Sequence, residues 1–339
     1  MQSAATAMYI GWHGRDNIGD DAIFDAVQSQ LPGVRLDDLP HYGASAVLSA
    51  FSPKFRGSPL VLGGGTVVGR SSWRRVVARG LKISGASPGF ALGVGVEDPE
   101  FQGIASCSGN DELRRWISVL RRFRSVSVRG PRSAELLADA GYDAKISGDP
   151  ALMLPPPDAA PEEGVIGLNM GFGDDLWGHD PHRVAEAVSI ALRTLSKRGH
   201  RLVGVLMNPD DEIWTRRAFD GIADSRVVVP NNPAQAAQLF SSCTTVIACR
   251  LHAGILAALS ATPVVALEYQ PKCRDFARSI GNDEYLLRTD VFSADDVVQL
   301  VASSIENQES IRSRTRERVD ELRRRLFDDY ATVRSVLGD

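Results

Sequence analysis

Residues 250–259 have the sequence Arg250-Leu251-His252-Ala253-Gly254-Ile255-Leu256-Ala257-Ala258-Leu259. The apolar run before them, residues 244–249, is typical of a buried strand, and the Ala-rich segment itself predicts a helix. A second short apolar strand follows at residues 264–267. This alternation predicts a parallel α/β sheet, in which Arg250 and His252 lie where a strand ends and a helix begins. Ligands bind at that edge of open α/β sheets.

The same edge suits an anion. The first turn of a helix has free N–H groups and the positive end of the helix dipole, and both favour negative charge. Arg250 adds a fixed cation, His252 an imidazole and Lys272, one strand later, a further cation. In the first half of the chain, Arg129 follows a strand at residues 125–128 and occupies the equivalent place. We therefore expect Arg250 and Arg129 to make paired anion contacts.

The N-terminal segment has a strand-to-helix unit of its own. Residues 8–12 predict a strand, residues 13–21 a loop rich in Gly, Asn and Asp, and residues 22–30 a helix. Asp20 or Asp21 is expected at the helix N-cap; a cap needs one carboxylate, so the other can face the cleft. The glycines fit neither G-x-G-x-x-G nor a P-loop, so neither a dinucleotide nor a nucleoside triphosphate is indicated.

Other glycines and histidines are ambiguous. Gly64 and Gly65, in a triple-glycine turn after an apolar strand, leave room for backbone amides to contact a ligand, but a tight turn accounts for them equally well. Gly171 is a candidate cleft residue or an ordinary turn glycine. His179 and His182 lack a third ligand at a metal-binding spacing, so solvated loop histidines are favoured and no metal is expected.

Composition sets broad limits. The chain has 339 residues, 43% of them hydrophobic and 24% charged, as in ordinary globular proteins. A net charge of −4 gives no global basic field for nucleic acid. Four cysteines without C-x-x-C or metal spacing, Cys107 among them, indicate reduced thiols and a reducing compartment. Residues 1–7 are expected to be a flexible leader, and no apolar stretch is long enough to span a bilayer.

The length favours two domains. The predicted class is α/β, with two Rossmann-like domains facing a cleft. We predict an N-terminal domain at residues 8–154, a proline-rich linker at 155–163, a C-terminal domain at 164–309 and a terminal helix at 310–339. The apolar seam of the terminal helix either crosses back onto the first domain or packs on its own domain.

The motifs add a family resemblance. Residues 11–23, Gly11-Trp12-His13-Gly14-Arg15-Asp16-Asn17-Ile18-Gly19-Asp20-Asp21-Ala22-Ile23, resemble the N-terminal G-x-x-G-x-x-N-[IV]-G-D-[DE]-A-I signature of the polysaccharide pyruvyl transferase family. The further motifs of that family follow in its order: Leu62-Gly63-Gly64-Gly65, Val128-Arg129-Gly130-Pro131, Gly148-Asp149-Pro150-Ala151-Leu152, Arg250-Leu251-His252, and Tyr269 with Lys272. The resemblance covers roughly Tyr9 to Phe276.

The resemblance implies a GT-B-like fold and a reaction. The family transfers pyruvate from phosphoenolpyruvate to two sugar hydroxyls, which gives a cyclic ketal and free phosphate. The resemblance implies no cofactor. The implied acceptor side is the N-terminal domain and the donor side is the C-terminal domain. The acceptor is a sugar of a cell-surface polysaccharide or glycolipid precursor, and the implied location is cytoplasmic, at the membrane face if the acceptor is lipid-linked.

Residue roles follow from the same match. Arg250, Leu251 and His252 match the donor-binding and catalytic segment, Arg129 a further donor-site arginine, Lys272 the cation after the last core strand and Asp20 the acid of the N-terminal signature. Arg129 precedes Gly130-Pro131, where many relatives carry an acidic residue, and this leaves its orientation open. The residues expected to line the cleft are Asn17, Gly19, Gly64, Gly65, Gly171 and Tyr269.

The residue types suit this chemistry independently. Phosphoenolpyruvate carries a phosphate and a carboxylate, which arginine binds bidentately. An imidazole suits a proton donor near neutral pH, so His252 is expected to be the general acid and Asp20 the base, or the reverse. The cations would neutralise the donor without a metal.

Two other functions remain open. A nucleotide-sugar GT-B glycosyltransferase would need an acid on the ribose, for which Glu268 is the candidate. A non-catalytic glycan- or anion-binding protein would need no intact acid and base. The acceptor is galactose, glucose, mannose or an N-acetyl sugar, free or lipid-linked. Trp73 with Arg74, Arg75 and Arg79 forms either a membrane-peripheral patch or, as we favour, a solvated helix face. The ketal stereochemistry and the oligomeric state are left open.

Overall fold

The computed structural model describes residues 5–49, 52–101, 110–173, 175–223 and 225–337. The elements of the first domain are β1 (Ala5–Ile10), α1 (Ile18–Gln30), β2 (Val34–Asp38), α2 (Gly43–Leu48), β3 (Leu60–Leu62), β4 (Thr66–Val68), α3 (Ser71–Ser84), β5 (Gly89–Val96), α4 (Asn110–Leu120), β6 (Ser125–Val128), α5 (Pro131–Asp139) and β7 (Lys145–Ile146). A short 3₁₀ helix at Pro150–Met153 follows.

The second domain repeats the alternation of strands and helices. Its elements are β8 (Val165–Asn169), α6 (Pro181–Lys197), β9 (Arg201–Val205), α7 (Asp211–Ala218), β10 (Ser225–Val228), α8 (Pro233–Ser241), β11 (Thr245–Ala248), α9 (Leu251–Ala258), β12 (Val264–Glu268), α10 (Pro271–Ser279), β13 (Leu286–Arg288) and α11 (Ala294–Glu306). A final helix, α12 (Gln308–Leu337), ends the described chain.

Each domain is built on one parallel sheet. The strand order is β2-β1-β3-β5-β6-β7 in the first sheet, with β4 beside β5, and β10-β9-β8-β11-β12-β13 in the second. The central strands β5, β8 and β11 are buried along their whole length because helices cover both faces of the sheet. The predicted α/β class with two parallel-sheet domains is confirmed.

The strand order reverses at one place in each sheet. The first sheet reverses between β1 and β3, and the second between β8 and β11. At such a switch point the connections leave toward opposite faces, which opens a crevice at the carboxyl ends of the strands. The loop before α1 and the triple-glycine turn lie at the first crevice, and Arg250 lies at the second. The two halves of the site therefore occupy equivalent places.

The last helix joins the domains. In α12, Arg323 donates hydrogen bonds of 2.6 Å to the carbonyl oxygens of Leu152 and Leu154, and Arg334 donates one of 2.8 Å to that of Gln30. The side chains of Leu326 and Tyr330 are fully buried. Of the two predicted courses for this helix, the structure therefore has the one that crosses back onto the first domain.

Three local expectations need correction or restriction. Residues 5–7 are not part of a leader, because β1 already begins at Ala5. Helix α1 begins at Ile18, and its N-cap is Asn17, not Asp20 or Asp21; the Asn17 side chain accepts a hydrogen bond from the Gly19 amide. The four cysteines are expected to be reduced: Cys243, Cys249 and Cys273 are free and buried, whereas Cys107 lies outside the described residues.

Within the described ranges, the helices are too short or too polar to cross a membrane.

Candidate active site

A cleft of about 470 Å³ lies between the two domains, at the carboxyl ends of both sheets. It brings together every predicted site residue except Gly171. The predicted residues that line it are Asn17, Gly19, Asp20, Gly64, Gly65, Arg129, Arg250, Leu251, His252, Tyr269 and Lys272. The site is therefore assembled from segments that are distant in sequence.

Arg250 is fixed by a buried acid of its own domain. It occupies the N-cap position of α9, and its backbone N–H donates to the Asn169 side chain at the end of β8. Its Nε lies 2.7 Å from Asp211 Oδ1, and its Nη2 lies 2.6 Å from the same oxygen. Asp211 is fully buried and also accepts bonds from Asn169 and from the Met207 amide. The guanidinium is thus held in one orientation at the cleft wall.

Gly171 lies behind this pair instead of lining the cleft. A Cβ atom at position 171 would stand 2.0 Å from Asp211 Oδ1 and 2.7 Å from Arg250 Nε. The absence of a side chain therefore leaves the space in which Arg250 and Asp211 meet. Gly173, two residues later, does line the cleft.

His252 lies in the first turn of α9 and faces the first domain. Its Nε2 is 3.7 Å from Oδ2 of Asp149, which follows β7 of that domain and is fully buried. Its Nδ1 side packs against Gly19, where a Cβ atom would come within 2.4 Å of Nδ1. Gly19 thus lets the start of α1 approach the imidazole closely, and the His252–Asp149 contact connects the domains.

The Asp149 carboxylate is shared by Arg129 and His252. Arg129 Nη1 lies 3.4 Å from Asp149 Oδ2, and both side chains are buried. Burial opposes the charge of Asp149, but His252 and Arg129 outweigh it and lower the pKa of the carboxyl. Arg129 also donates to Thr66 Oγ1 at 3.0 Å. Arg129 therefore lies at the floor of the cleft with much of its charge already compensated.

Asp20 lies in the first turn of α1, across the cleft from Arg250 and Lys272. Its carboxylate accepts a 2.6 Å hydrogen bond from Asn17 Nδ2. Burial raises the pKa of Asp20, and the charges of His252, Lys272 and Arg250 oppose that rise. A carboxyl with a raised pKa is a better proton acceptor than an ordinary aspartate, which suits a general base.

Lys272 is the cation with the least compensation. It lies in the first turn of α10, with Nζ 4.7 Å from the centre of the Tyr269 ring. Among the described residues it makes no ion pair, and burial lowers its pKa to about 8, assisted by the charges of Arg70 and Arg129. Its charge is therefore available to an anion at neutral pH.

Four further residues complete the site and were not assigned from the sequence. Thr66 and Arg70 line the cleft from the first domain, and Arg70 Nε donates to Glu97 at 2.6 Å. Asp149 stands in a recognised motif, but that motif gives it no role. Asp211 carries no signal in the sequence, because its link to Arg250 exists only through the folding of β8, β9 and β11 together.

Glu268 is the candidate ribose acid of a nucleotide-sugar enzyme. Its carboxylate is buried and makes a two-pronged pair with Arg274, at 3.0 and 2.5 Å. This pairing occupies both carboxylate oxygens, and Glu268, the last residue of β12, is not among the residues that line the cleft. The described residues hold no group of three or more His, Cys, Asp or Glu side chains that is arranged for a metal ion.

Comparison with known proteins gives one family and one fold. A family model described as polysaccharide pyruvyl transferase matches residues 17–271. A comparison with curated protein sequences finds no match.

Solved structures with the same fold are distant in sequence. A UDP-GlcNAc 2-epimerase from Neisseria meningitidis, bound to UDP-GlcNAc, has a TM-score of 0.60 and 12% identity; the match covers 94% of this chain and 89% of that one. A UDP-glucosyltransferase from Polygonum tinctorium has a TM-score of 0.56 and 12% identity, over 100% of both chains. A UGT transferase from Siraitia grosvenorii, in complex with UDP, has a TM-score of 0.54 and 13% identity, over 98% and 100%. These likenesses show a GT-B-like fold and nothing more.

Proposed function

The chain belongs to the polysaccharide pyruvyl transferase family, and from this membership we propose that it transfers pyruvate from phosphoenolpyruvate to two hydroxyls of one sugar. The sugar belongs to a cell-surface polysaccharide or glycolipid precursor. The products are a cyclic ketal and inorganic phosphate. A cytoplasmic location and a lipid-linked acceptor stay predictions.

One observation carries the proposal. Arg250 and Lys272 stand at the starts of α9 and α10, and both line one cleft. Two helix N-termini and two cations together favour a ligand with two anionic groups. Phosphoenolpyruvate has a phosphate and a carboxylate, both attached to C2. The planar fork of Arg250 suits either group, and the ammonium of Lys272 acts as a point charge.

The reaction needs one proton donor and one proton acceptor. The donor delivers a proton to C3 of phosphoenolpyruvate, which becomes the methyl group, while a sugar oxygen forms a bond to C2. A second sugar oxygen then bonds to C2, and the bond from C2 to the phosphate oxygen breaks. Of the two hydroxyl protons, one balances the proton on C3 and the other leaves with phosphate.

We assign the donor to His252 and the acceptor to Asp20. His252 Nε2 lies 3.7 Å from the buried Asp149 carboxylate, which orients the ring, and an imidazole is the side chain that suits a proton donor near neutral pH. Asp20 has a raised pKa and lies on the first-domain wall, where a sugar hydroxyl can approach. Arg129 is proposed to contact the donor from the floor of the cleft. The reverse assignment of acid and base is the alternative.

Phosphate release tests the proposal. The purified protein is incubated with phosphoenolpyruvate and a panel of galactose, glucose, mannose and N-acetylglucosamine glycosides, and free phosphate is measured. We expect release that requires a sugar and that falls about 10²–10⁴-fold in His252→Ala, the usual worth of a general acid. The matched control is His182→Ala, because His182 contacts Trp214 and Arg217 outside the cleft.

The outcomes separate the three functions. Turnover with a nucleotide sugar and none with phosphoenolpyruvate would overturn the proposal in favour of a glycosyltransferase. Sugar binding without turnover of either donor would favour a binding protein. Equal loss of activity in His252→Ala and His182→Ala would remove His252 from the mechanism.

A further inference from the structure

The first-domain wall carries an aromatic cluster at the mouth of the cleft. Trp12 follows β1, His41 and Tyr42 precede α2, and Trp73 lies in the first turn of α3. The Trp12 and Trp73 rings are 6.2 Å apart at 70°, and His41 lies 4.8 Å from Trp73 at 72°. Three segments of the domain thus converge on one aromatic surface.

This surface is open to the cleft. Trp12, Tyr42 and Trp73 all line the same cavity as Arg250 and Lys272. The Tyr42 side chain is exposed, with 59% of its surface accessible. Trp12 and Trp73 are half-buried. Aromatic side chains that line a polar cleft with part of their surface accessible are a common mark of a binding site, because packing alone does not require that accessibility.

Polar groups surround the aromatic rings. Arg15 lies over the Trp12 ring at 4.0 Å, and the His13 imidazole pairs with Asp38 at 2.8 Å. Burial lowers the pKa of His41, with Arg15 acting in the same direction, so its imidazole is neutral at pH 7 and can donate and accept hydrogen bonds. The wall therefore combines apolar faces with uncharged and charged hydrogen-bonding groups.

We propose that Trp12, Tyr42 and Trp73 form the acceptor subsite and bind one face of a pyranose ring. A pyranose has C–H groups on its faces and hydroxyls around its edge. The faces pack on aromatic rings, and the edge hydroxyls meet polar side chains such as those of His41 and Arg15. The reaction of the bound sugar rests on the proposed function, whereas the binding of the sugar does not.

The two ligands of the cleft would then be separated by chemistry. Phosphoenolpyruvate is a small anion that gains little from aromatic faces and much from Arg250 and Lys272. A neutral sugar gains much from aromatic faces and little from Arg250 and Lys272. Asp20 lies on the same wall as the aromatic cluster, and the sugar hydroxyls would reach it from this subsite.

Saturation-transfer NMR tests the subsite without any turnover. The probes are methyl β-glycosides of galactose, glucose, mannose and N-acetylglucosamine, measured with the full chain in the presence of phosphoenolpyruvate. We expect at least one glycoside to receive saturation mainly on the protons of one ring face. Trp73→Ala should reduce that signal at least fivefold, and Trp73→Phe should keep most of it.

The matched control is Trp214→Ala. Trp214 also lies in a small aromatic cluster, with Phe172 and His182, but in the second domain and outside the cleft. Its removal should leave the sugar signal unchanged. Where turnover is measurable, Trp73→Ala should raise the KM for the sugar about tenfold and change the KM for phosphoenolpyruvate less than twofold.

Each remaining outcome is decisive. No saturation of any glycoside by the wild-type protein, or the same signal in Trp73→Ala as in wild type, overturns the subsite. Saturation of uridine monophosphate in place of the sugars assigns the aromatic rings to a nucleobase and also overturns it. Sugar binding that depends on Trp73, without phosphate release, keeps the subsite and rejects the proposed function. Phosphate release that does not depend on Trp73 keeps the proposed function and rejects the subsite.

Discussion

The two walls of the cleft are built from the same strand-to-helix units but carry different chemistry. On the second-domain wall, Arg250 is oriented by Asp211, and Lys272 makes no ion pair among the described residues. On the first-domain wall, Arg129 and Arg70 are compensated by Asp149 and Glu97, and aromatic rings line the mouth. Arginines on both walls are thus paired with acids. The walls differ in Lys272, which makes no ion pair among the described residues, and in the aromatic rings, so a shared topology positions a ligand and these side chains distinguish one ligand from the other.

The largest expected effect comes from a change in the second-domain wall, the removal of the Asp211 carboxylate. Asp211→Ala leaves the Arg250 guanidinium partly buried without its counter-ion, and such a loss typically destabilises by about 3–5 kcal/mol. We expect this loss in the free energy of unfolding of the protein, measured by urea titration. The control is Asp210→Ala, the exposed neighbour, which should cost less than about 0.5 kcal/mol. Equal stability of the two variants would show that Asp211 does not hold Arg250.

The next effect concerns the contact between His252 and Asp149, which links the walls. Asp149→Asn removes the carboxylate that faces His252 and Arg129, and we expect kcat to fall about 10²-fold. Without the carboxylate the imidazole loses the group that orients it from the first domain, so kcat should fall in a variant that keeps native circular dichroism and native thermal unfolding. A purely structural role would lower thermal stability together with activity. A loss of kcat that is matched by a loss of stability would therefore restrict Asp149 to supporting the fold.

The acids Asp149 and Asp211 also show what the sequence could predict. The α/β class and the cleft are predictable because strand ends, glycine turns and apolar runs are local features. Arg250, His252, Lys272 and Asp20 are predictable because polar and charged side chains that follow apolar strands are typical of ligand sites. The partners Asp149 and Asp211 are not, because partnership depends on which strands lie side by side. The sequence spacing of 39 residues between Asp211 and Arg250 contains no trace of their contact.

The N-cap prediction for α1 failed for a related reason. Asn, Asp and other short polar residues cap helices about equally well, so Asn17 and Asp20 are indistinguishable on propensity alone. The structure has Asn17 at the cap, and its amide group also holds the Asp20 carboxylate. The aromatic cluster could not be predicted either, because its rings come from three segments separated by whole elements of the domain.

A smaller effect sharpens the electrostatic contrast between the walls. Burial lowers the pKa of Lys272 to about 8, below the ordinary value for lysine, so the side chain loses its charge as the pH rises through 8. We expect the KM for phosphoenolpyruvate to rise about fivefold between pH 8 and pH 9, because the charged fraction of Lys272 falls from about a half to about a tenth. Lys272→Arg should flatten that rise, since an arginine keeps its charge. A KM independent of pH in the wild type would place Lys272 away from the donor.

The smallest effect is expected at Glu268, the last residue of β12, which is not among the residues that line the cleft. In a nucleotide-sugar enzyme this acid would hold a ribose and its loss would abolish donor binding. Here both carboxylate oxygens are engaged by Arg274, so Glu268→Gln should change kcat and KM less than twofold. The amide keeps one acceptor for Arg274, which limits the loss of stability to about 1–2 kcal/mol by thermal unfolding. Measuring phosphate release and thermal unfolding on the same sample separates an effect on turnover from an effect on stability. A tenfold loss of turnover at unchanged stability would mean that the donor extends past Lys272 and contacts Glu268. The charge of Lys272 would then not be enough by itself to select the donor.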